Sequence, residues 1–151
     1  MSHVIFSNPG LVDIRALRTF GMNAKIGENP RGIFGTGAKH ALAILLRNKQ
    51  HVTLWRGLDK YTFRTENVDS RGSTFEVIHM DGPDGSLEMP FTTQLGKTWQ
   101  MWMAYRELHS NVLDESGTTT FGVPKPREGH TTIAVRGDDI IQAYHQRHTI
   151  F

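Results

Sequence analysis

The chain contains no cysteine. That absence excludes disulfides, thiolate metal sites and a cysteine nucleophile. No stretch approaches roughly 18 uninterrupted apolar residues, so no segment is expected to cross a membrane as a helix. Charge of one sign is scarce as well. The 17 basic and 15 acidic side chains leave a formal net charge of +2, and the basic residues are scattered. Nothing in that balance calls for a nucleic-acid partner. There is no internal repeat and no low-complexity linker. The opening Met-Ser-His-Val-Ile-Phe has neither a basic start nor a long apolar run, so no signal peptide is expected. What remains is 151 residues, 38% hydrophobic and 21% charged. These values fit one domain, residues 1–151, with a core of its own, and the simplest reading is a soluble cytoplasmic protein.

The pattern along the chain predicts an α+β domain: a mainly antiparallel sheet with helices on one face, a two-layer sandwich. Residues 3–7 read as a strand closed by the turn Asn8-Pro9-Gly10. Residues 12–21 read as a short helix, and the glycine-rich stretch 22–37 as a loop. A nearly all-apolar helix is expected over 38–47, buried on every side. Strands are expected at 51–56, 61–63, 74–78, 91–95 and 131–135, with a turn at 81–85. Residues 98–115 carry the strongest helical signal, with Thr98 as cap and Gly117 as stop. Residues 117–130 read as loop. Asp138 or Asp139 is placed to cap a C-terminal helix.

Chemistry is concentrated in two segments. Glu107, Asn111 and Asp114 stand at i, i+4 and i+7, so on a helix they share one face. A carboxamide oxygen there suits Mg²⁺, a hard cation, and a carboxylate one turn away suits proton acceptance from water. The same triplet also fits a solvated polar stripe. The second segment is Gly32-Ile-Phe-Gly35-Thr36-Gly37-Ala38-Lys39, which runs straight into the apolar helix. Glycines permit close approach, and a helix start presents free N–H groups to an anion. It is neither a Walker loop nor a dinucleotide fingerprint, and a plain tight turn remains open.

Together these segments resemble the GHKL ATP-binding domain shared by gyrase B, the heat-shock chaperone of ninety kilodaltons, bacterial histidine kinases and mismatch-repair MutL. Glu107-Leu-His-Ser-Asn111-Val-Leu-Asp114 looks like that family's N box, and Gly32-Ile-Phe-Gly35-Thr36-Gly37 like its second glycine box. Ile5-Phe6-Ser7-Asn8-Pro9-Gly10 stands where the first glycine box would end a strand. The resemblance implies ATP and Mg as ligands, with slow Mg-dependent hydrolysis. It implies Asn111 as the Mg²⁺ ligand, Glu107 as the base and Gly35, Thr36, Gly37, Ala38 and Lys39 at the phosphates. Asp114 is implied as an orienting group, Asn8 as the acceptor for the adenine amino group, and Gly10 as part of the first box.

Two departures stand out. The first box lacks its aspartate and has Ser7-Asn8 instead, with Asp13 as a nearby substitute. The family's threonine at adenine is matched to Thr92 or Thr93. The order of the boxes also differs, the glycine boxes preceding the N box. A circular permutation explains this if the cut falls between strands 131–136 and 3–7, which then become antiparallel neighbours. In this respect the chain resembles small phage-encoded proteins, which implies a host cytoplasm and a host-protein partner. Residues 22–34 would form the lid, and relatives of this kind dimerise on lid closure. The alternative on the same scaffold is a non-catalytic module that binds a nucleotide or a protein. Among weaker signals, His145 and His148 have metal-compatible spacing but no third ligand. His40 and His109 read as structural, Trp99, Trp102 and Met103 as core, and Arg15, Arg18 and Arg31 as either phosphate-attracting or solvated.

Overall fold

A computed structural model describes residues 2–15 and 36–150. The strands are β1 (His3–Pro9), β2 (His51–Arg56), β3 (Asp59–Ser70), β4 (Ser73–Gly82), β5 (Gly85–Thr92), β6 (Thr118–Gly122) and β7 (His130–Arg136). The described helices are α1 (Thr36–Arg47), α2 (Met101–Asp114), α3 (Asp138–His145) and α4 (Arg147–Ile150). The seven strands form one sheet in the order β5-β4-β3-β2-β7-β1-β6, antiparallel throughout. The expected α+β class with an antiparallel sheet is what the chain adopts.

Alternation along the strands decides which face takes the helices. Val4 and Phe6 of β1, Ile133 and Val135 of β7, and Val52 and Leu54 of β2 are buried on one side. There they meet α1 and α2, with the Phe6 and Tyr105 rings 5.7 Å apart. Ile140 and Ala143 of α3 join the same core. Helix α1 is buried from Ala41 to Leu46 without interruption, because it lies between the sheet and α2. Each of its leucines and Ile44 contributes about 1.5–3 kcal/mol by leaving water. A dry gap of about 10 Å³ remains between Ala38, Leu42, Leu45, Leu54, Leu108 and Ile133. It has room for at most one water and carries no polar group to hold it.

Strands β7 and β1 are neighbours, Val4 pairing with Val135 and Asn8 with Thr131. Strands β6 and β7 both run against β1, so the connection 123–129 crosses over β1 to join them.

Several expectations need correction. The helix expected from 38 begins at Thr36, so Thr36 and Gly37 belong to its first turn and not to a loop. First-turn amides need no partner four residues back, and glycine costs little there. The strand expected at 91–95 instead runs from Gly85 to Thr92, because the Pro83-Asp84 turn sets Gly82 against Gly85. Residues 93–95 turn away and are fixed by Arg47, whose guanidinium donates to the carbonyls of Thr93, Leu95 and Gly96. The stretch 117–130 contains β6, a strand whose threonines pair with β1, a tertiary contact that loop-like composition conceals. Helix α2 starts at Met101 with Gln100 at the N-cap position, two residues later than Thr98 would place it. On that helix Leu108 and Val112 lie in the core, whereas Leu113 is 53% exposed. Of the helix expected over 12–21, Val12 is held outside any helix by Thr131, and residues 16–21 lie outside the described residues.

The C-terminal helix forms, but neither Asp138 nor Asp139 caps it; both sit in its first turn. The cap comes from Gln50, whose Oε1 accepts the Ile140 N–H at 3.1 Å. Gln50 is buried at 7% exposure. Gln50→Ala leaves that amide unpaired in the core. It is expected to cost about 1–2 kcal/mol, read as a lower urea midpoint with an unchanged slope.

Candidate functional site

Helix α2 carries the site because its middle and its C-terminal end meet different parts of the fold. Ala104, Tyr105, Leu108 and Val112 bury one face. Glu107 and Asn111, both half-buried, fall on an adjoining face, and Asn111 Nδ2 donates to Glu107 Oε2 at 3.2 Å. The carboxylate in turn lies against the start of α1. A Cβ on Gly37 would stand 2.8 Å from Glu107 Oε1 and closer still to Oε2. Only glycine at 37 lets the carboxylate approach the helix start, where free N–H groups and the helix dipole favour negative charge. With its nitrogen given to Glu107, Asn111 keeps its carboxamide oxygen as an acceptor.

The C-terminal end of α2 abuts β1. A Cβ on Gly117 would stand 2.6 Å from Asn8 Cβ and 2.8 Å from the Val112 carbonyl, and nearer yet to the Ser7 carbonyl. Asn8 is 6% exposed. Its Nδ2 donates to the Pro9 carbonyl at 2.7 Å, which fixes the amide orientation. Its Oδ1 is buried and has no hydrogen-bond partner among the described residues. A buried acceptor left unpaired costs about 1–3 kcal/mol. Glu107 therefore meets α1 from the middle of α2, and Asn8 meets the turn that follows its C-terminal end.

The remaining residues fall around this axis. Ala38 is buried beside the dry gap, and Lys39 is 2% exposed, with burial pushing its ammonium below the usual lysine value. Gly10 follows β1 with φ +100°, its N–H donating to the Gly129 carbonyl at 2.7 Å. Thr131 secures this loop: its hydroxyl donates to the Gly10 carbonyl at 2.7 Å and accepts the Val12 N–H at 2.9 Å. Asp114 is exposed at the last residue of α2, away from the contact with α1. Gly35, the side chain of Thr36, the proposed lid 22–34, Arg18 and Arg31 lie outside the described residues.

Thr92 and Thr93 do not accompany Asn8. They belong to β5 and the turn after it, at the opposite edge of the sheet from β1 and β6, where the Thr93 hydroxyl donates to Glu76 at 2.8 Å. The threonine paired with Asn8 is Thr131. Asp13 is exposed and bonded to Arg15. His40 stacks on Trp99 at 5.1 Å, and His109 stacks on Tyr105 at 5.5 Å and shares a 2.7 Å hydrogen bond with Thr119. Burial first, and the Arg147 charge second, hold His109 below the ordinary histidine value. Trp99 packs on the core, whereas Trp102 lies half-buried with Arg106 4.7 Å from its ring. No group of three metal-capable side chains occurs among the described residues.

Gly117 and Thr131 had no place in the sequence reading of the site. The helix stop at 117 was the one visible signal for the first. The second was hidden in a strand whose register only pairing with β1 reveals. No protein-family model matches the chain, and neither a curated protein nor a solved structure matches it.

Proposed function

We propose that the chain is a circularly permuted GHKL-type domain that binds an adenine nucleotide with Mg²⁺ and hydrolyses it slowly. The observation that supports this reading most is the contact between Glu107, bonded to Asn111, and Gly37 at the start of α1. It joins the N-box-like and glycine-box-like segments, which are 70 residues apart in the chain. The adjacency of β7 and β1 also suits a cut between them.

The residues fit the ligand. Asn8 offers a buried oxygen in need of a donor, and the adenine amino group is such a donor. Lys39 and the first-turn amides of α1 bring positive potential to phosphates. Asn111 would hold Mg²⁺ through its carboxamide oxygen, and the ion would neutralise phosphate charge. Glu107 would orient a water and take its proton. Because the gap beneath α1 is so small, the nucleotide would lie beyond the start of α1 and along α2.

Titration calorimetry with ATP and GTP tests the assignment of Asn8. The parent protein is expected to prefer ATP, since the guanine carbonyl would face the Asn8 oxygen. Asn8→Ala should weaken ATP about tenfold or more and erase the preference. Equal affinity for both nucleotides in the parent protein would remove Asn8 from the base site.

A further inference from the structure

The face of the sheet away from the helices carries a second site of different character. There Ile5 and Ser7 of β1, Thr120 of β6 and Thr132 of β7 line a groove of about 460 Å³. The crossover 123–129 closes one side of it with Val123 and Lys125. A solvated sheet face carries threonines as a matter of course, but here the floor of the groove is sheltered while Thr120 and Lys125 at its rim are exposed. Thr132 is 2% exposed and Ile5 7%. Ser7 Oγ and Thr132 Oγ1 lie 3.3 Å apart and share a hydrogen bond, which leaves both hydroxyls further capacity to donate or accept.

Lys125 brings the charge. It makes no hydrogen bond or ion pair among the described residues, and the groove lining holds no carboxylate. Its place is fixed by covalent means. Pro124 and Pro126 flank it. A proline fixes its own φ and drives the residue before it to an extended backbone, so the segment stands over the groove with little entropy left to lose. A lysine on a stiff segment that lines the same groove as three hydroxyls, with no acid in the lining, offers the chemistry of a receptor for an oxyanion.

We propose that this groove binds the phosphate group of a small phosphorylated ligand, with Lys125 as the charged contact and Ser7, Thr120 and Thr132 as hydroxyl donors. Ser7 and Asn8 then serve opposite faces of β1: Asn8 points to the helices and Ser7 to the groove. The inference stands apart from the nucleotide reading, since its residues and face are different.

The test is an amide-resolved NMR titration of the full chain with inorganic phosphate at constant ionic strength. Resonances of Thr120, Gly122, Lys125 and Thr132 are expected to shift along one saturating curve, with a dissociation constant of about 1–10 mM. Lys125→Ala, at an exposed position, should keep the fold and weaken that curve at least tenfold, while ATP affinity stays unchanged. Shifts that stay linear in phosphate, or saturation equal in Lys125→Ala, would overturn the proposal.

Discussion

Glu107→Ala is expected to lower ATP turnover about 10²–10⁴-fold while nucleotide affinity stays within a few-fold of the parent protein. The carboxylate lies against the start of α1, and Asn111 bonds to it there. Loss of a positioned base removes proton transfer and spares the contacts that bind. Glu107→Gln separates chemistry from packing, because it preserves shape and a bond partner for Asn111. The same loss in Glu107→Gln is the expected result in a phosphate-release assay. Turnover in both variants equal to that of the parent protein would remove Glu107 from the base role.

The second large effect concerns stability. Gly117→Ala is expected to cost about 3 kcal/mol and to lower the melting temperature by about 6–12 °C. The added methyl would meet the Ser7 carbonyl, Asn8 Cβ and the Val112 carbonyl together. Two of these are backbone atoms, and Asn8 Cβ is fixed to the backbone, so no rotamer change relieves the clash. The turn after α2 must then retreat from β1. Because that turn sets the distance between α2 and Asn8, nucleotide affinity should fall with stability. A melting temperature within about 1 °C of the parent protein would mean that α2 does not meet β1 at this point. By contrast, Gly37→Ala meets only the flexible end of Glu107 and should disturb the site more than the fold.

How much of this was legible in the sequence depends on whether the cause is local. Helix α1 was visible because six successive apolar residues, Ala41 to Leu46, exclude a solvated face. Helix α2 was visible through its glycine- and proline-free run, although its start was misplaced because Gln100, rather than Thr98, takes the N-cap position. Strand β2 was read with correct ends, since its alternation carries its own signal. Strand β6 was not, because a run of threonines between Gly117 and Gly122 becomes a strand only by pairing with β1. The cap on α3 comes from Gln50, 90 residues away, and no local pattern announces it. The site divides in the same way. The i, i+4 spacing places Glu107 and Asn111 on one helix face, and there they bond. The meeting of Glu107 with Gly37 was implied only by the resemblance. That Thr131 and not Thr92 or Thr93 lies beside Asn8 is not legible, because strand order across a sheet is set by long-range pairing.

The most direct test is calorimetric titration of ATP with Mg²⁺ into the parent protein and into Asn111→Ala. The nucleotide reading predicts saturable, Mg-dependent binding that Asn111→Ala weakens at least about tenfold, a loss of the size expected for a polar contact to a charged ligand. The absence of heat for ATP, ADP or any other nucleotide in the parent protein, or equal affinity in Asn111→Ala, would contradict it.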